Sequence, residues 1–319
     1  MDVQAVLNFF EFDKPFLITT HVHADGDGIG AMLGLFHWLK KTQRSGRMVI
    51  DDKTPDKKYR FLPSFDCIEL YDSFSNDTSF ERAVIVDTPT MSSQRIGNVA
   101  QLLSGQTQTL VIDHHAGGAN EGTVRFVDES ASAASELVYH LIQASRSALT
   151  PDMAMCLYAG IAFDTKLFKH SHPDRALNVC HELTKLGADP QQIAEELFTH
   201  QTFETVKTLG LALSTLTLQK KGQISMLHID YKTYSLGGDL DVVVDHALSI
   251  DGVEVALFFK EEMPQRQRVS LRSRGKVDVN LVARTFGGGG HQRASGCTIE
   301  GALEYAQSKL MAELVKHLG

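Results

Sequence analysis

Apolar and polar positions follow two rhythms along this chain. Short apolar runs at 15–20, 47–50, 83–86, 110–112 and 124–127 read as strands, the first as a buried one. Between and after them, 28–41, 95–103, 133–144 and 151–162 carry apolar residues at helical spacing; in the first, Leu33, Phe36 and Leu39 fall on one stripe. This β/α alternation predicts a mostly parallel sheet with helices on both faces. From 173 to about 197 the rhythm is helical, broken at Lys185-Leu-Gly-Ala-Asp-Pro190, where Gly187 can end one helix and Pro190 open the next. Beyond it a second pattern begins. Helices are expected at 203–218, 241–249, 278–286 and 302–318, and strands at 223–229, 253–259 and 268–274. The expected organisation is an α/β chain: a parallel-sheet domain at 1–187, a helical linker at 188–203, and a smaller α/β domain at 204–319, with the active cleft between the two domains.

Ligands in open parallel sheets gather at the carboxyl ends of strands. Here those ends carry chemistry. The first run leads into His21-Val-His23-Ala-Asp25-Gly-Asp27, Ala83-Val-Ile-Val86 ends in Asp87, and Leu110-Val-Ile112 ends in Asp113-His114-His115. Asp164 follows Ile161-Ala-Phe163. Each feature alone has an ordinary explanation as a turn residue, a helix cap or a surface histidine. Four of them at coordinated positions point to one metal site, and mixed carboxylate and imidazole donors suit Mn²⁺, Mg²⁺, Fe or Zn. Gly26, Gly28 and Gly30 are expected to permit tight turning after the first cluster. That segment lacks the Gly-x-Gly-x-x-Gly of a dinucleotide fingerprint. It also lacks the polar fifth and acidic twelfth positions of a calcium loop, where Ile29 and Phe36 stand.

Composition narrows the setting. The chain has 319 residues, 43% hydrophobic and 22% charged, as in ordinary globular proteins. No apolar stretch is long enough for a membrane helix, and Met1-Asp-Val-Gln lacks a basic signal region, so a cytoplasmic protein is expected. Cysteines 67, 156, 180 and 297 form no Cys-x-x-Cys pair. A formal charge of −8 disfavours long nucleic acid as a partner but leaves room for a short, locally held anion.

In their order along the chain, the four clusters resemble the motifs of the DHH phosphoesterase superfamily. Phe286-Gly-Gly-Gly-Gly-His-Gln-Arg-Ala-Ser-Gly296 is similar to the glycine-rich signature of the DHHA1 domain. The resemblance spans nearly the whole chain and is closest to the nanoRNase/pAp-phosphatase type, which includes enzymes hydrolysing linear dinucleotides such as pGpG. It implies a two-metal site, usually Mn²⁺, with Mg²⁺, Co²⁺ or Fe²⁺ as substitutes. His21 and Asp25 would bind one ion, Asp27, His114 and Asp164 the other, and Asp87 both. Asp113 would orient a histidine, and His115 would contact the reacting phosphate. His23 matches no ligand position. Two such ions activate water, and the resulting hydroxide attacks phosphorus without a covalent enzyme intermediate.

For the C-terminal part, the resemblance implies substrate contacts from Arg272 with Ser273, and from Gly288, Gly289, Gly290 and His291. The residues fit that role: successive glycine amides can form an anion nest, and in 268–274 the arginines alternate with Val269 and Leu271, so that they share one face of a strand. The expected reaction is Mn²⁺-dependent hydrolysis of short oligoribonucleotides, above all 5′-phosphorylated dinucleotides such as pGpG or pApA, to mononucleotides. The nearest alternative is dephosphorylation of 3′-phosphoadenosine 5′-phosphate. A non-catalytic nucleotide sensor is a further alternative, as is a metallo-β-lactamase-type hydrolase, whose His-x-His-x-Asp-His would need a histidine where Gly26 stands. A homodimer is the oligomer the resemblance suggests. Two departures from the family pattern bear on substrate rather than on ligands: Ala24 replaces a common proline, and Lys166, with Lys169 and His170 near it, replaces a common glycine.

Overall fold

All four side chains of Phe16–Thr19 (β1) are buried, as a central parallel strand requires, because both faces of such a sheet are covered. The computed structural model describes residues 2–74, 78–115, 121–169, 173–199, 202–238 and 240–318. Among these, β1 is flanked by Gly46–Ile50 (β2), Glu69–Leu70 (β3), Phe80–Val86 (β4), Leu103–Asp113 (β5) and Val124–Val127 (β6), in the order β3-β2-β1-β4-β5-β6. Every pairing in this sheet is parallel. The chain divides into two compact units, Met1–His200 and Gln201–Gly319.

In the first unit, helices cover both faces of the sheet. One face packs against Val3–Phe9 (α1), Gly26–Lys41 (α2), Ala134–Ala144 (α4) and Pro151–Asp164 (α5), with Pro173–Lys185 (α6) and Pro190–Phe198 (α7) outside them. The other packs Leu17, Val49, Ile85 and Val111 beneath Ser93–Ile96 (α3) and the 3₁₀ segment Gly97–Leu102. The single helix expected at 95–103 is therefore replaced by α3, a 3₁₀ turn and the start of β5. Ile96, Val99 and Leu102 explain the difference. They recur every three residues, which is the 3₁₀ period rather than the α period.

α5 decides where the fourth cluster goes. Thr150 caps it by accepting from the Met153 amide, and Pro151 opens it with an N–H that needed no partner. The helix is apolar nearly all round and runs through the core against α2. Glycines make the approach close: a Cβ on Gly30 would lie 2.6 Å from the Cys156 carbonyl oxygen, and one on Gly160 would lie 2.0 Å from Ser135 Oγ. Gly26, Gly28 and Gly30 thus belong to α2 rather than to a turn, and Gly30 serves helix packing.

The second unit has its own mixed sheet, in the order β11-β12-β10-β9-β8-β7, made of Thr217–Gln219 (β7), Ile224–Ile229 (β8), Val255–Met263 (β9), Arg266–Ser273 (β10), Gly289–His291 (β11) and Ala294–Glu300 (β12). Phe203–Ser214 (α8), Tyr231–Tyr234 (α9) and Asp241–Leu248 (α10) lie on one side; Val279–Arg284 (α11) and Leu303–Leu314 (α12) cover the other. The helix expected at 203–218 stops at Ser214, and 217–219 instead pair with β8 as an edge strand. β11 and β12 carry no apolar run, because glycines and small residues fill them, and the sequence pattern did not announce them.

Candidate metal centre

Five short segments converge at the carboxyl end of the first sheet. β1 delivers His21. Asp25 is the N-cap of α2, its carboxylate accepting from the amides of Asp27 and Gly28. Asp87 leaves β4 with a left-handed φ of +58°, a conformation costly for a residue with a Cβ. Asp113, His114 and His115 end β5, and Asp164 ends α5.

The groups form two triads joined by one carboxylate, overlapped by a third set, Asp87, His114 and His115. In the first, His21 Nε2 lies 3.8 Å from Asp25 and 3.4 Å from Asp87 Oδ2. In the second, His114 Nε2 lies 3.9 Å from Asp27 Oδ2 and 3.7 Å from Asp164 Oδ2. Asp87 Oδ1 is 3.5 Å from His114 Nε2, so the two oxygens of Asp87 face different triads. Within each triad the donor atoms all lie within 4.8 Å of one another, close enough to share one ion. Hard carboxylate oxygens with neutral imidazole nitrogens fit a divalent cation.

Electrostatics show what the cluster costs without cations. Burial opposes a charge on His21, but Asp25 and Asp87 outweigh it and push its pKa up to about 11. Burial likewise opposes a charged His114, which its carboxylate partners nonetheless raise well above the usual histidine range. Burial would raise Asp87 too; contacts with His114 and His21 reverse that and hold it well below the ordinary carboxylate value. Burial, with Asp87 and Asp25 nearby, lifts Asp164 to about 6 against the pull of His114. Burial and Asp87 raise Asp27 as well. Protons thus hold this cluster together in the absence of metal, and a metal would take their place.

The surroundings hold the candidate ligands in position. Asp27 is fully buried, and its carboxylate accepts from the amides of Ala134 (2.6 Å) and Ser135 (2.9 Å) at the start of α4. Asp113 accepts from His115 Nδ1 at 2.8 Å, so it orients His115 rather than His114. His23 is exposed with a φ of +58° and belongs to neither triad. Its amide and that of Ala24 donate to Asp52, at 2.6 and 2.8 Å, which pins the first motif. Arg95 donates from Nε to Thr88 Oγ1, beside Asp87, and its carbonyl accepts from the Val22 amide. Sequence reasoning missed Asp52, Arg95 and the two α4 amides. The signal for Asp52 was present: Asp51-Asp52 follows β2 at the same carboxyl edge.

In the second unit, Arg268, Ser270 and Arg272 alternate along β10 with buried Val269 and Leu271. Arg272 Nε lies 3.5 Å from Asp245. Ser273 sits on the opposite face, buried, and donates from Oγ to the Val277 carbonyl; it is tied into the fold rather than paired with Arg272 for a ligand. Arg274 donates to the carbonyls of Leu248, the last residue of α10, and Val253 beyond it. The Gly288 amide donates to Ala283, while Gly289, Gly290 and His291 form β11 against β12, so the glycine run is a hairpin edge with His291 exposed. His170 lies outside the described residues.

Comparisons with known proteins agree with this arrangement. The DHH family, N-terminal domain, matches residues 15–161, and the DHHA1 domain matches residues 223–317. A bifunctional oligoribonuclease and PAP phosphatase NrnA of Thermus thermophilus is 28% identical over 96% of this chain and 91% of its own length. Its namesake in Bacillus subtilis is 29% identical over 89% and 88%. Among solved structures, an exopolyphosphatase-related protein from Bacteroides fragilis superposes with a TM-score of 0.87 at 25% identity, covering 99% of this chain and 96% of the other.

Proposed function

The chain belongs to the DHH/DHHA1 family of phosphoesterases, and from that premise we propose that it is a two-metal, Mn²⁺-dependent phosphodiesterase cleaving 5′-phosphorylated dinucleotides such as pGpG and pApA to mononucleotides. The observation that carries the reading is Asp87, whose two oxygens reach His21 and His114 in separate triads. One ion would be held by His21, Asp25 and Asp87, the other by Asp27, His114 and Asp164, with Asp87 shared. Ions bound there supply positive charge against the phosphoryl oxygens and lower the pKa of water.

The chain's own groups do the rest. Asp113 holds His115 through Nδ1, and His115 would meet a phosphoryl oxygen and pass a proton toward the departing ribose oxygen. Asp113 is a positioning residue in this scheme. By the family resemblance Arg272, Gly288, Gly289, Gly290 and His291 would contact the nucleotide, Gly288 without its amide, which is bonded to Ala283. Ser273 contributes by fixing the loop after β10. Among the described residues no helix is long and apolar enough to cross a membrane.

A second activity has specific support, because the relatives are named as both oligoribonuclease and PAP phosphatase. A phosphomonoester on 3′-phosphoadenosine 5′-phosphate presents the same scissile chemistry to the same site. The test is a product time course on pGpG, pApA, longer oligomers and 3′-phosphoadenosine 5′-phosphate, with Mn²⁺ and with chelator. Mononucleotides from the dinucleotides, abolished by chelator, are expected. Tight dinucleotide binding with no product over hours would overturn the enzymatic reading in favour of a sensor.

A further inference from the structure

Phe163 immediately precedes Asp164, and its ring packs on the backbone between two other ligand positions. A Cβ on Gly26, which lies between Asp25 and Asp27, would fall 2.4 Å from Phe163 Cγ. The ring also meets Tyr59 edge-on at 6.0 Å and stacks on Phe198 at 6.4 Å, so it is rigidly held. Two ammonium groups lie over this one ring: Lys166 Nζ at 4.3 Å from its centroid and Lys58 Nζ at 5.3 Å. Two cations gathered on one ring form a local concentration of positive charge. Asp56, 3.1 Å from Lys58, neutralises one of them. Among the described residues Lys166 has no ion-pair partner, although the protein as a whole is acidic.

Lys166 is also held in a costly backbone conformation. Its φ is +48°, and Leu167 and Phe168 follow at +54° and +65°. Glycine would accept this left-handed turn without a steric penalty. The turn is fixed by bonds from the Lys166 amide to the Phe163 carbonyl and from the Leu167 amide to the Ala162 carbonyl. A strained, half-buried lysine, two residues beyond a candidate ligand carboxylate and with no anionic partner among the described residues, is suited to a partner that arrives with the substrate.

We propose that Lys166 and Lys58, mounted on Phe163, form a subsite for a second, non-scissile phosphate of the substrate. It selects phosphorylated dinucleotides and nucleoside bisphosphates over molecules whose only phosphate is the one being cleaved. The inference deepens the phosphodiesterase reading and rests on it. A charged hydrogen bond from each ammonium to the phosphate suits flexible point charges that approach from one ring.

The test compares pGpG with GpG, which lacks the 5′-phosphate, on the full chain with Mn²⁺, for wild type, Lys166→Met, Lys58→Met and Lys166→Gly. The subsite predicts that KM for pGpG rises about tenfold in each variant, with kcat held within twofold, while KM for GpG shifts less than twofold. Lys166→Gly should raise Tm as the strain is relieved, so its loss of pGpG affinity cannot be a folding defect. Equal changes on both substrates, or none on pGpG, would overturn the subsite. Equilibrium binding of the two dinucleotides by calorimetry reads the same preference without turnover. A wild type that prefers pGpG in binding but cleaves neither substrate keeps the subsite and sinks the phosphodiesterase reading instead.

Discussion

Asp87 carries two burdens at once. Its backbone sits in a left-handed conformation unfavourable for any side chain, and its carboxylate is almost fully buried between two imidazoles. Neither is economical in a residue that merely ends a strand, where asparagine or glycine would suffice. Asp87→Asn keeps the shape and the tolerance for positive φ but removes the charge shared by the triads. It should lower kcat about 10³-fold, the equivalent of about 4 kcal/mol in the barrier. Bound metal should fall from two ions towards one, read by elemental analysis after gel filtration. A variant that keeps two ions and near-normal turnover would refute the shared role. At this scale much was legible in advance, because strand ends in a parallel sheet mark a site before any contact is known. Asp27 shows the limit. It is held by backbone amides of Ala134 and Ser135 more than a hundred positions away, and an amide leaves no mark in a sequence pattern.

Between residue and molecule stands the segment that joins β6 to α4. Its Asp128 amide bonds the Asp113 carbonyl, and its far end presents the amides that grip Asp27, so it links the first and third motifs. A buried network keeps it in shape. Arg175 on α6 reaches Asp128 at 3.1 Å and Glu136 at 2.8 Å, while Glu136, fully buried, accepts from the Ser132 amide. Arg175→Met leaves the Glu136 carboxylate with too little opposing charge. That should destabilise the first unit by about 2–3 kcal/mol, at the low end for a broken buried pair because Arg175 is itself partly exposed. If the network also positions Asp27, metal affinity should fall about tenfold in calorimetric titrations and return in part with Arg175→Lys. Lower stability with unchanged metal affinity would reduce the network to a structural brace. None of this was readable from periodicity, which located α4 to within a residue but gave no reason why its first turn matters. The helix expected at 95–103 fails for the opposite reason: a three-residue apolar spacing resembles a helical one but belongs to a tighter turn.

For the whole molecule, the prediction is that cations stabilise the first unit and leave the second unchanged. The metal candidates found among the described residues all lie in Met1–His200, while the second unit has a separate core. Binding to the folded state alone adds RT ln(1 + [L]/Kd), about 2.7 kcal/mol at a hundredfold excess over Kd. The chain's one tryptophan, Trp38, is buried in the first unit and reports on that unit's unfolding. Mn²⁺ should therefore raise the midpoint seen by Trp38 fluorescence by several degrees, and chelator should reverse it. Hydrogen exchange in β9 and β10 should be unmoved. The pH dependence has a definite sign. His21 holds a proton below about 11 in the metal-free protein and must lose it to bind, so apparent metal affinity should rise with pH through the neutral range. Below about 6 the fall should steepen as Asp164 also takes up a proton, because its folded pKa is raised to that value. Proton release on Mn²⁺ binding, measured calorimetrically in buffers of different ionisation enthalpy, would register the exchange directly. Binding without proton release at pH 7 would mean that the carboxylates and imidazoles at the sheet edge are not neutralising one another, and the electrostatic account of the centre would have to be rebuilt.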